Sequence, residues 1–346
     1  MFPEMRTHKW RLAVLPLVFC MLLATAASAE DAFSRKTFMV PMRDGVDLAM
    51  DVYFLEEYQG QELPVVLMRT PYGKTGWAKQ VLPMLAGKRV LFAVQDTRGR
   101  YDSEGVSTSF LDDTQDGYDT VEWLAEQEWC NGRIATAGIS AMGITQYQMI
   151  KKPSRHLACQ SVMAAAPSLY HVGAYQGGGF KRALVYRWLM GNNFPVHVLK
   201  MMLANVDYNG VWEMVDSTPD VANARVPVVH FAGWYDMFLQ GNLDMFNNIQ
   251  ENGGPGARGR QRLIVGPWTH NGFLGLRTRK QGEFEYPENS LYDILKISAW
   301  FEECLRGYDR GFMDGPAVRY YVMGDPEDPD APGNEWRRSD TWPPAG

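Results

Sequence analysis

Three residues stand out for the chemistry their types and order allow. Ser140 lies in Gly138-Ile139-Ser140-Ala141-Met142-Gly143, with an apolar strand pattern before it and a helical pattern after it. Small neighbours let a serine occupy a sharp strand-to-helix turn with its hydroxyl exposed as a nucleophile. The usual spacing is G-x-S-x-G, and here the second glycine comes one residue late. Ser140 as a plain helix N-cap is the competing reading. A serine nucleophile needs a base and an acid to orient that base. Asp236 follows the apolar run Pro227 to Phe231, and His270 follows Leu263-Ile264-Val265. Both are expected just past the C-terminal ends of strands, where open α/β sheets carry their sites. The chain order Ser, Asp, His points to acyl transfer through an acyl-enzyme.

Other histidines fit this role poorly. His8 lies in the N-terminal leader, His156 in a polar loop, and His171 and His197 in a helical insertion. His230 sits inside an apolar strand and reads as a core residue. No H-E-x-x-H spacing is present. Gly73-Lys74-Thr75 resembles the end of a phosphate loop, but Met68 occupies the required first glycine position. Gly177-Gly178-Gly179 follows no strand, so it is not a dinucleotide fingerprint.

The elements that must position these residues follow from pattern. Lys36 to Met42 and Val46 to Phe54 read as strands joined by a turn at Arg43-Asp44-Gly45. Pro64 to Arg69, Val90 to Gln95, Arg133 to Gly138, Leu157 to Met163, Val226 to Phe231 and Arg262 to Val265 are short apolar runs of buried-strand type. Helices are expected at Ala78 to Ala86, Asp113 to Gln127, Ile144 to Ile150 and Leu291 to Arg306. The alternation argues for an α/β fold with a mainly parallel sheet. From about Ser168 to Arg225 the alternation stops. That stretch is rich in aromatics, Met and Gly, is helical around Phe180 to Met190, and reads as an inserted cap.

Composition sets the broad limits. With 34 Lys+Arg against 40 Asp+Glu the net charge is −6, and no basic run exists to hold a phosphate backbone, which excludes nucleic acid as the main partner. A 46% hydrophobic content over 346 residues is enough for a packed core and excludes intrinsic disorder. The N-terminus combines Arg6, Lys9 and Arg11, an apolar run from Leu12 to Ala24 and the A-x-A site Ala27-Ser28-Ala29, the pattern of a secretory signal peptide cleaved near Ala29. The run is short for a membrane span and contains Pro16, so no stable span is expected after cleavage. The expected location is periplasmic or extracellular. Cys130, Cys159 and Cys304 remain after cleavage and match no metal or redox spacing. One disulfide or three free thiols both fit, buried free thiols being favoured.

Six segments together resemble the cocaine-esterase and X-prolyl dipeptidyl-peptidase superfamily, the CocE/NonD hydrolases. They are VPMRDGVDLAMDVY from Val40, RTPYGK from Arg69, QDTRGRYDSEG from Gln95, DGYDTVEWLAEQEWCNGRIATAGIS from Asp116, GWYDMF from Gly233 and GPWTH from Gly266. The resemblance runs from about Phe38 to the C-terminus. It implies an α/β-hydrolase fold, a triad of Ser140, Asp236 and His270, and an oxyanion hole made by the Tyr72 hydroxyl and the Ala141 N–H. It implies no metal or organic cofactor, and a small-molecule or short-peptide acyl substrate of ester, amide or X-Pro type. Members acting on α-amino esters place acidic residues after the triad aspartate; here Met237, Phe238 and Leu239 follow Asp236, which favours a neutral or acidic acyl group. Cap aromatics Tyr175, Phe180, Tyr186, Trp188 and Trp212 are candidates for the acyl pocket, although more than half of them are expected to pack the cap's own core.

The family also ends in a β jelly-roll domain. Ala317 to Met323 resembles its first strand, and the chain stops at Gly346. The expected organisation is therefore a signal at 1–29, an α/β-hydrolase domain at 30–167 and 226–312, a helical cap at 168–225 and the truncated start of a jelly roll at 313–346. A lone strand there would expose its edge and favour a homo-oligomer or poor solubility. A secreted serine hydrolase is the leading reading. The alternative is a catalytically silent truncated remnant that only binds.

Overall fold

The computed structural model describes residues 33–78, 88–273, 280–287, 297–328 and 330–344. The expected signal peptide and most of the expected helix at 78–86 lie outside these residues, as does the first part of the helix expected at 291–306.

The strands are β1 (Phe33–Pro41), β2 (Asp47–Leu55), β3 (Leu63–Thr70), β4 (Leu91–Asp96), β5 (Cys130–Ile139), β6 (Leu157–Met163), β7 (Val228–Tyr235), β8 (Arg262–Thr269), a small pair β9 (Lys280–Gln281) and β10 (Phe284–Glu285), then β11 (Val318–Val322) and β12 (Glu335–Ser339). The helices are α1 (Asp113–Ala125), α2 (Ala141–Met149), α3 (Arg182–Gly191), α4 (Val196–Ala204), α5 (Gly210–Glu213), α6 (Leu239–Asn252) and α7 (Ile297–Arg306). Ten strands form one mixed sheet in the order β1-β2-β4-β3-β5-β6-β7-β8-β11-β12. From β4 through β11 all neighbours are parallel, whereas β1, β2 and β12 join antiparallel.

The apolar runs lie in the sheet interior because helices cover both faces. Alternation along β3 divides the core. Val65 and Leu67 pack with Val121 and Leu124 of α1. Val66 and Met68 point the other way, to Trp300, Phe301 and Leu305 of α7. The β1–β2 turn carries Gly45 at φ +85°, the left-handed conformation glycine tolerates.

Two expectations need adjusting. β7 and β8 end four residues later than expected, because Ala232 and the Val265-to-Trp268 stretch are also buried between neighbouring strands. Asp236 and His270 are thereby the first residues past their strands. The segment expected to start a separate jelly roll instead extends the central sheet. Val318, Arg319 and Tyr320 pair in parallel with Leu263, Ile264 and Val265, and β12 pairs with β11 on the outside. The physical reason is that β8 would otherwise end the sheet with an unpaired edge, and burying Val318 and Tyr321 there covers apolar surface. As favoured from the sequence, Cys130, Cys159 and Cys304 are free thiols, the first two buried.

Between β6 and β7 the chain is helical, comprising a π-helical turn at Leu169–Ala174, then α3, α4, α5 and a 3-10 turn at Thr218–Asn223. Its apolar residues, among them Val185, Leu189, Val198 and Trp212, form one core cluster with Ala141, Ile144 and Tyr147 of α2.

Candidate active site

Ser140 is the single residue between β5 and α2, at φ 58° and ψ −123°. This conformation is strained for a residue with a Cβ and costs ~1–3 kcal/mol. It persists because the turn is held on both sides. The Ser140 N–H donates to Met163 O at 2.9 Å, and its carbonyl accepts from the N–H groups of Gly143 and Ile144, each at 2.9 Å. Buried Gln146 braces the turn from below, accepting from Thr136 Oγ1 at 2.8 Å and donating to the carbonyls of Met142 and Ser161 at 3.1 Å.

The displaced glycine spacing now has a cause. Met142 stands where G-x-S-x-G has its second glycine, and it is fully buried. A Cβ on Gly138 would lie 2.5 Å from Met142 Cβ and 2.7 Å from the Met142 carbonyl oxygen, so the close approach of the strand end to α2 demands a glycine there. Gly143 is required separately, since a Cβ there would lie 2.6 Å from Ala165 Cβ. Ser140 occupies the N-cap position of α2 but its side chain makes no cap hydrogen bond. Its hydroxyl faces His270 instead, with Oγ 3.0 Å from Nε2. On the other side of the ring, Nδ1 lies 2.5 Å from Asp236 Oδ2. Asp236 is held in turn, because its Oδ1 accepts the Phe238 N–H at 2.7 Å. The Asp236 carboxylate is inaccessible to solvent, whereas the His270 side chain is 17% exposed. The structure thus brings the three sequence-selected residues together from the C-terminal ends of β5, β7 and β8.

The His270 turn has a support that the motifs did not reveal. Gln281 of β9 accepts the Thr269 N–H at 2.8 Å, and a Cβ on Gly272 would lie 2.6 Å from Gln281 Oε1. Only the fold brings this residue to His270; no spacing rule points to it.

Tyr72 lies in the turn after β3. Its backbone N–H donates to Thr70 Oγ1 at 3.1 Å, and the neighbouring Lys74 N–H donates to Asp96 Oδ1 at 2.8 Å. Buried Lys74 Nζ is paired with buried Asp96 and with exposed Asp102, so an ionic cluster anchors the turn to the loop after β4. Burial pushes the Tyr72 phenol above its ordinary pKa, opposed by hydrogen bonding to Trp188 and to Ser140. Ala141 is the first residue of α2, and N–H groups of a first helical turn have no intrahelical acceptor.

A cavity of ≈ 240 Å³ opens on Ser140 and His270. Its walls are mostly apolar, with Phe110, Ile144, Leu169, Val185, Trp188 and Met202 among them, and among the described residues no carboxylate lines it. Of the five candidate aromatics, Trp188 alone lines the cavity, in keeping with the expectation that more than half of them pack elsewhere. Tyr175, Phe180 and Trp212 stack against one another, and Tyr186 is 51% exposed. His230 behaves as expected of a core residue. It is fully buried with Nδ1 3.0 Å from the Tyr147 hydroxyl, and burial pushes its pKa down to about 4, so the ring is neutral.

A serine at a strained strand-to-helix turn, hydrogen bonded to a histidine that is itself hydrogen bonded to a buried aspartate, is the constellation of serine hydrolases on α/β sheets. The chain belongs to the X-Pro dipeptidyl-peptidase (S15) family, which it matches over residues 44–197 and 191–272. It is 29% identical over 359 residues to the cocaine esterase of Rhodococcus sp. (strain MB1 Bresler), covering 88% of this chain and 59% of that protein. Among solved structures, an aminopeptidase from a marine sediment Thaumarchaeota archaeon superimposes with a TM-score of 0.75 at 21% identity, over 90% of this chain and 59% of the other. A CocE/NonD family hydrolase from Staphylococcus aureus superimposes with a TM-score of 0.70 at 19% identity, over 91% of this chain and 57% of the other. The chain therefore spans about three fifths of the length of these relatives. The two structural likenesses establish the α/β fold with its large mixed sheet.

Proposed function

We propose that this protein is a serine hydrolase that cleaves an ester with an apolar acyl group through an acyl-enzyme. The observation that carries the proposal is the continuous hydrogen-bonded row Ser140–His270–Asp236 at the floor of an apolar cavity. His270 Nε2 takes the Ser140 proton as Oγ attacks the acyl carbon, and later returns it to the leaving group. Asp236 holds the ring in the tautomer with the proton on Nδ1 and stabilises the imidazolium. The Tyr72 hydroxyl and the Ala141 N–H donate to the oxyanion. Water then attacks the acyl carbon of the Ser140 ester, again with His270 as base, and the acid leaves.

The cavity supports an ester with a neutral, apolar acyl group over an α-aminoacyl or X-Pro substrate. An α-ammonium would need an anionic partner, and the described residues of the walls offer none. The helical stretch 168–225 acts as the cap that supplies about half of these walls, among them Leu169, Val185, Trp188 and Met202. Among the described residues no helix is long and apolar enough to cross a membrane. The basic start, the Leu12–Ala24 run and the Ala27-Ser28-Ala29 site support export with cleavage near Ala29.

The test pairs a fluorophosphonate probe with a panel of nitrophenyl esters, aminoacyl amides and X-Pro amides. Labelling at Ser140, lost in Ser140→Ala together with about a million-fold of turnover, is the expected result. Folded protein that resists the probe would refute hydrolysis. Faster turnover of X-Pro amides than of apolar acyl esters would refute the substrate class alone.

A further inference from the structure

The indole of Trp188 does more than line the cavity. Its Nε1 lies 2.8 Å from the Tyr72 hydroxyl oxygen. An indole N–H can only donate, so the tyrosine oxygen is the acceptor in this bond. The phenolic proton is then left to point at another acceptor, and the neighbouring group is Ser140, where the oxyanion would form. A donor that arrives on the phenol oxygen also favours the charge that grows there as Tyr72 gives up part of its proton.

The contact is built, because Trp188 is locked from several sides. Its ring stacks on Phe110 at 5.9 Å between centroids and 12° between planes, and packs on Phe194 at 4.6 Å. Arg100, buried beneath, ties the two ends of the arrangement together. Its Nε donates to the carbonyl of Pro71, the residue before Tyr72, at 3.1 Å. Its other nitrogens donate to the carbonyls of Asn193, at 3.0 Å, and Asn192, just past the end of α3 that carries Trp188. The guanidinium also lies 4.1 Å from the Phe194 ring centroid. One side chain thus sets the distance between the Tyr72 turn and the Trp188 helix.

We propose that Trp188 is a positioning residue that orients the Tyr72 hydroxyl for oxyanion donation, with Arg100 holding the two segments in register. This rests on the reading of Tyr72 as an oxyanion donor. It also means that the wall touching the acyl group and the group stabilising the transition state are joined by a hydrogen bond.

Trp188→Phe keeps an aromatic wall and removes the N–H. The expected result on a short acyl ester is a kcat about 10-fold lower with KM within about twofold, the size of effect one lost hydrogen bond gives. The double variant Trp188→Phe with Tyr72→Phe is expected to be no slower than Tyr72→Phe alone, since both act on one proton donor. Incorporating benzothienylalanine at position 188, which has the indole shape without the N–H, repeats the measurement where phenylalanine destabilises the fold. A purely structural role would raise KM or lower the melting temperature and would add to Tyr72→Phe; that result overturns the inference. If Tyr72→Phe slows turnover while both replacements at 188 leave kcat unchanged, the inference fails and the Tyr72 reading stands. If Tyr72→Phe has no effect on an enzyme whose Ser140 still takes the probe, both fail.

Discussion

On the sheet, Ser140, Asp236 and His270 each occupy the first position after a strand; Ser140 and Asp236 are fixed through backbone hydrogen bonds, and the His270 turn through the side chains of Gln281 and Thr269. In the helical stretch 168–225 the side chains that reach the site do so from helix faces, through apolar contact and the one hydrogen bond from Trp188. The first region is determined by strand registers that cannot slip without turning every buried residue to the other face. The second can repack, since helices that meet through apolar side chains tolerate exchanges of similar volume. The difference suggests a division of labour in which the sheet sets the reaction and the helical stretch sets which acyl group is accepted.

Substitutions can break or sharpen this contrast. The largest effect is expected from Asp236→Asn, which leaves the packing in place but turns the His270 ring to the wrong tautomer. Turnover should fall about 10⁴-fold with the fold unchanged, measured by steady-state kinetics and circular dichroism. A smaller loss there would mean that Asp236 is not the orienting acid. Tyr72→Phe is next, with an expected loss of about 10²–10³ in kcat, the usual worth of one oxyanion donor. In the helical stretch, Met202→Trp should narrow the cavity. Long acyl esters should lose about 10-fold in kcat/KM while acetyl esters keep theirs. A uniform loss across chain lengths would erase the distinction between the two regions.

The smallest effect on catalysis is expected at His230, buried in the sheet beside the site. Its folded pKa is pushed down to about 4, below the ~6.5 of an unfolded histidine. A depressed histidine contributes stability that is present above about pH 6.5 and lost as pH falls toward 4, because the unfolded chain takes up the proton first. The full effect is on the order of 3 kcal/mol. His230→Gln should flatten the acid side of the melting-temperature profile and leave the pH dependence of turnover unchanged. An altered pH–rate profile would connect His230 to the reaction.

Much of this was readable along the chain. The fully buried β3 and β4 appear as unbroken apolar runs because parallel strands are covered on both faces. Ser140, Asp236 and His270 were readable because a nucleophile turn needs small residues and a triad needs an order. Less was readable where partners are distant. Gln281 and Arg100 touch the site's supporting turns across 12 and 93 residues, respectively, and nothing in their local spacing distinguishes them. The strand at 318–322 was legible as a strand but its partner was not, since an alternating pattern specifies a buried face and leaves the neighbour open. Which of the aromatics faces the cavity was not legible for a related reason. Tyr175, Trp188 and Trp212 are equally apolar, and only packing decided that one faces the cavity while two fill the space behind it.

By itself the sequence determined the α/β class, the strand-to-helix turn at Ser140 and the placing of Ser140, Asp236 and His270 at strand ends, because these depend on local conformation and on hydrophobic period. The tertiary structure decided what meets across the sheet: the pairing of β11 with β8, the need for Gly138 opposite Met142, and the bond from Trp188 to Tyr72. Each of these joins residues far apart in the chain or sets one volume against another, and neither distance nor volume is written in a local pattern.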